Sequence, residues 1–261
     1  MLPSDDLIDW MLESTHWWIE SFGGFVFFEE HTPLVLPVEE DFPVDVSLQG
    51  HALAEDYFVF VQEHAGLNEW SFRLTEETAP NVSDVLRGMP HGMTPGLTLT
   101  AEPATVRADR PLPIPYSHAQ LDDPEDLVAS MARGLSHYLL QSAPTEAPGA
   151  AEDEAFLVDL GACLMGFGVF LANSAFRFQQ SEEGMMIGWG FSRQGALSQL
   201  DVSFALALVA TLLEVPDGDL LPHLRPNPKG FYKAARKHLH KKCSRDLARL
   251  RATPPTHGPY R

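Results

Sequence analysis

Cysteine is nearly missing from the chain: two residues in 261, Cys163 and Cys243, far apart in sequence. That excludes a disulfide framework, and Cys163, set in an apolar run, reads as a small buried hydrophobe. Lysine is missing from the first 224 residues, whose seven basic residues are all Arg against 35 acids. So acidic a body argues against nucleic acid as the main partner, because phosphate would be repelled over most of the surface. No basic stretch precedes the first apolar residues, so no signal peptide is expected. The longest uncharged run, 160–176, is rich in Gly and shorter than the ~20 residues a bilayer span needs. It reads as a helix buried on all sides in a cytoplasmic protein without a transmembrane segment. There is no Gly-x-x-x-x-Gly-Lys phosphate loop, no signature context for a Ser or Cys nucleophile, and no basic–aromatic interleaving of the kind that binds single strands.

What the body lacks, the end supplies. Residues 225–261 carry eleven Lys and Arg against the single acid Asp246. A helix over 228–251 is expected to dock on the acidic body, with Phe231, Tyr232 and Leu239 inward and most cations outward or facing acids. His238 and His240, two apart, would point away from each other on that helix and make a poor metal pair.

Taken in order, Ser4 or Asp5 caps a first helix that carries three Trp and ends at Gly23-Gly24. Residues 25–28 and 33–37 read as strands, with prolines at the edges. A second helix runs from about Gln49 to Gly66. Strands are expected at 70–74, 97–101, 104–107 and 113–116, with a loop over 81–96. Residues 142–153 form an exposed linker, followed by apolar helices over 154–176 and 197–215, with a turn at 184–190. Strands come early and helices late. The expected fold is therefore α+β: a single domain over 1–261, strand-rich in 1–120 and helical in 121–261, with a small mixed sheet packed on the helices.

The stretch around which the rest is organised is 121–140. Two acids and Pro124 suit the first turn of a helix, and Leu127, Val128, Met131, Leu135, Tyr138 and Leu139 recur at a helical period. Arg133 and His137, four apart, share one side of it. In a zinc peptidase this spacing belongs to His-Glu-x-x-His, two imidazoles one turn apart with a Glu to activate water. Here the window reads Arg133-Gly134-Leu135-Ser136-His137.

Residues 121–129 with His137, then Asp159-Leu160, 165–176, Gly188-Trp189, 192–195, 204–208 and 223–226, together with 33–37 and Phe42-Pro43, resemble an uncharacterised family of bacterial zincin-like proteins. The resemblance covers nearly the whole chain. It implies that His137 stands at the second metal-binding His and Asp159 at a later acidic ligand, whereas Arg133 and Gly134 replace the first His and the Glu. One imidazole and one carboxylate fall short of the three protein ligands of a catalytic zinc. A guanidinium at the first position sets a fixed positive charge where the metal would sit, free to pair with Asp159. Without the Glu there is no general base for a bound water. No catalytic residue, metal or other cofactor is expected; Arg133, Gly134, His137 and Asp159 form a vestigial site.

Two readings follow. The first is a catalytically degenerate zincin-like protein acting as a binding or regulatory module, its acidic surface meeting a basic protein partner, as in an immunity protein that neutralises a toxin. The second is a hydrolase using a remodelled version of the old cleft through Arg133, His137 and Asp159. The missing Glu favours the first.

Overall fold

The structure is a computed structural model that describes residues 1–77, 111–149, 153–182 and 197–259, the side chains of 176–182 excepted. Helix α1 (Asp5–Ser21) begins at Ser4, whose Oγ accepts from the Leu7 amide at 3.3 Å, and carries Asp5 and Asp6 in its first turn. A hydroxyl cap and two acids satisfy the free N–H groups and the dipole of that end. Helix α1 buries Ile8, Met11, Leu12, Trp18 and Ile19.

Residues 25–28, expected as a strand, lie instead in helix α2 (Gly24–His31). Phe25 and Phe28 are buried while Val26 is exposed, so the burial repeats every three residues rather than every two. The Phe25 amide donates to Thr253 O at 3.0 Å, tying this helix to the end of the chain. Residues 33–37 are not a strand either. Their prolines remove two donors, and the Val35 amide reaches Gly166 O at 3.3 Å. Helix α3 (His51–His64) follows, so among the described residues 1–77 hold three helices where the sequence suggested two helices and strands at 25–28 and 33–37.

The sheet among the described residues is two-stranded and parallel, not mixed: β1 (Phe72–Glu77) pairs with β2 (Leu112–Ser117) in register Phe72 with Leu112 through Glu77 with Ser117. The Leu112 amide donates to Ser71 O at 2.8 Å, so the even-numbered residues of β2 face β1. Pro113 and Pro115, of opposite parity, turn their donorless nitrogens to the other edge, where nothing is lost. The strands expected at 97–101 and 104–107, the loop at 81–96 and the turn at 184–190 lie outside the described residues.

A 3-10 turn (His118–Asp122) leads into α4 (Pro124–Gln141), which buries Leu127, Val128, Met131, Leu135 and Leu139 as its period requires. Beside it runs α5 (Glu154–Ala162), continued through a π turn (Cys163–Phe167) into α6 (Gly168–Glu182). The π turn contains Gly166 at φ 101°, a left-handed conformation natural to glycine, and a Cβ there would strike Pro33 O. The span Glu154–Ala175 is 22 residues long and its most apolar 18-residue window has mean hydropathy 2.1, long and apolar enough to cross a bilayer, but 89% of that window is buried inside the protein. It is a core helix.

Helix α7 (Gln199–Leu212) starts at a capping box of Ser198 and Asp201 and is buried over almost its whole circumference, from Val202 to Leu212. After the short α8 (Asp217–Leu220), α9 (Pro226–Lys242) and α10 (Ser244–Arg251) close the fold. Tyr232, Ala235 and Leu239 of α9 are buried, and its docking is fixed by Tyr232 Oη donating to Asp217 Oδ1 at 3.1 Å and Arg236 donating to Val215 O at 3.0 Å. Phe231, expected inward, is only half-buried. One hydrophobic core runs from Ile8 to Leu250.

Candidate functional site

Helices α4 and α5 are joined by the 142–153 segment and pack as an antiparallel hairpin. Arg133 Nε donates to Asp159 Oδ1 at 2.7 Å, with the two side chains 6% and 1% exposed. One turn further along α4, His137 Nδ1 lies 3.2 Å from Glu154 Oε1. Four residues forward on α4 thus match five residues back on α5, as antiparallel helices require. Between the two pairs, Ser136 Oγ donates to Val158 O at 2.8 Å. Beyond them Gln141 Nε2 donates to Glu154 Oε1 at 2.9 Å.

Asp159 is engaged on both sides. Its Oδ2 accepts the Leu197 amide at 2.9 Å, fixing the residue that enters α7 just before the Ser198 cap. A carboxylate that takes a guanidinium on one oxygen and a backbone N–H on the other has few lone pairs left for a metal. Cys163, one turn on and fully buried, sits in the same electrostatic environment; burial and then Asp159 push its thiol above the ordinary range, which favours the protonated form. Glu154 is held below its ordinary value of 4.5, first by the hydrogen bond from His137, against the opposing effect of burial.

Gly134 faces the sheet. A Cβ built there would approach Ile114 Cδ1 to 3.0 Å and Cγ2 to 3.2 Å, so the helix rides directly on β2 at this residue. Of the four positions singled out in the sequence, Arg133 and Asp159 meet, His137 turns to Glu154, and Gly134 serves packing. The donor set does not fit a metal: Asp159 is spent on Arg133 and Leu197, and His137 on Glu154. Among the described residues no group of three or more His, Cys, Asp and Glu side chains is placed to hold one. A cleft of about 200 Å³ between Phe42, Tyr57, Val128 and Phe170 has none of Arg133, His137 and Asp159 in its walls.

A second polar constellation escaped the sequence reading. At the carboxyl ends of the two strands, Tyr116 Oη lies 2.8 Å from His51 Nδ1 and donates to Glu76 Oε2 at 3.3 Å, while His118 Nδ1 lies 2.9 Å from Glu76 Oε1. Burial, reinforced by Glu76, pushes the Tyr116 phenol up to about 12. Tyr116 is buried, and the cluster laces α3 to the sheet. Its members come from positions 51, 76, 116 and 118, and no spacing in the sequence links the first two to the others. Compared with family models, with curated proteins and with solved structures, the chain matches none.

Proposed function

We propose that this protein is a catalytically degenerate zincin relative that works as a binding or regulatory module, cytoplasmic and directed at a protein partner of complementary, basic charge. The observation that carries the reading is the buried Arg133–Asp159 pair, which occupies the two positions where the resemblance would put a zinc ligand each. A fixed cation at that point repels Zn²⁺, and the position of the activating Glu is filled by a glycine pressed on Ile114. The acidic surface, net charge −18 overall, suits a basic partner of the kind an immunity protein holds.

The test is a peptidase assay on an unstructured protein substrate in the presence of added zinc. The expected outcome is no cleavage above buffer. Cleavage that a chelator abolishes and that Asp159→Asn removes would overturn the proposal and return the chain to the hydrolases.

A further inference from the structure

All five lysines of the protein lie on one helix, α9: Lys229, Lys233, Lys237, Lys241 and Lys242. The first four recur every fourth residue and form a ridge of roughly 18 Å along the helix. Tyr232, Ala235 and Leu239 point into the core, which puts Lys233 and Lys237 on the opposite face, where both are exposed. Small residues, Gly230 and Ala234, lie between the lysines, and α9 contains no acid.

Most arginines of this region differ from its lysines in what they meet. Arg225 pairs with Glu125, Arg236 with Asp217, Arg249 with Glu13 and Arg251 with Glu214, at 2.8–3.5 Å. Among the described residues none of the five lysines is in an ion pair, in a protein with twice as many acids as bases. Four arginines tie this end to the body and Arg245 stays exposed, while Lys233, Lys237, Lys241 and Lys242 all face outward.

We infer that the lysine ridge of α9 is an electrostatic docking face for an anionic phospholipid surface. Lysine is a hydrated point charge on a flexible stem and is depleted from packed protein interfaces, where arginine is preferred. A fluid plane of phosphate and carboxylate headgroups asks only for diffuse charge, and a helix with four or more outward cations supplies it. The apolar side of α9 is already buried in the core, so nothing inserts and binding is peripheral and salt-sensitive. The ridge carries no aromatic side chain on which bases would stack, and the acidic body behind it would repel a wrapping nucleic acid.

The experiment is co-sedimentation of the full chain with vesicles of phosphatidylcholine containing about one-third phosphatidylserine, against pure phosphatidylcholine, at low and at physiological salt. Binding is expected to the anionic vesicles alone and to weaken steeply with salt. The triple variant Lys233→Gln, Lys237→Gln, Lys241→Gln touches only exposed side chains and is expected to keep the fold, checked by circular dichroism. It should lose roughly a hundredfold in affinity, about fivefold per lysine, while the triple Lys→Arg variant binds as the native chain does. No binding to anionic vesicles at low salt, or binding that the Gln variant retains, would overturn the inference. So would tighter binding of a short DNA duplex than of the vesicles, which would assign the ridge to nucleic acid.

Discussion

Arg133 sets its guanidinium against a carboxylate that is 1% exposed, so its removal strands a charge rather than merely deleting a contact. Arg133→Ala is expected to cost ~3–5 kcal/mol, read from urea denaturation. The pair Arg133→Met with Asp159→Leu should recover most of that loss, since apolar side chains of similar volume replace buried ions well. It should not recover all, because the Leu197 amide loses its acceptor, at about 1–3 kcal/mol. Gly134→Glu drives a charged side chain into Ile114, and a loss of ~2 kcal/mol or more is expected on the same measurement. Glu154 gives a pH dependence whose sign follows from its lowered value. Its carboxylate is favoured in the folded state, so its contribution is present above about pH 4.5 and fades as pH falls through the lower folded value. Acid titration of stability should therefore show a smaller loss below pH 4.5 in Glu154→Gln than in the native chain. The contact between Arg133 and Asp159 was expected from the resemblance, which sets both residues at converging positions, together with the fit of a guanidinium to a carboxylate. The Leu197 amide was not, since nothing marks a backbone donor 38 residues away.

The α4–α5 hairpin is the element on which these residues act together, and its two helices were readable from apolar periodicity. The short elements were not. Residues 25–28 are aromatic and β-branched, which favours a strand, yet the α1 end and the Thr253 carbonyl hold them as helix. The pairing of β1 with β2 joins positions 40 residues apart, beyond any local pattern. Within the core span, Gly166 is the point on which geometry turns. Gly166→Ala meets both a left-handed backbone and the Pro33 carbonyl, and a loss of at least ~1–2 kcal/mol is expected in thermal denaturation. At Gly230, where a Cβ meets open space, Gly→Ala should instead be neutral or stabilising by up to ~1 kcal/mol.

At the scale of the molecule, charge is segregated: an acidic body is closed by a basic helical end whose arginines stitch it back through Glu13, Glu125, Asp217 and Glu214. With Tyr232 and Leu239 fully buried, the amides of α9 should exchange as slowly as those of α7; rapid exchange throughout 226–251 would mean a free arm. The dipolar layout was legible from the order of residues, whereas the division of labour between Arg and Lys needed the ion pairs to be seen. The central proposal, that a buried guanidinium has taken the place of a metal, is tested most directly by elemental analysis of the native protein after dialysis against zinc. Zinc far below one atom per chain is the predicted result. One zinc per chain, lost on Asp159→Asn or His137→Ala, would contradict it.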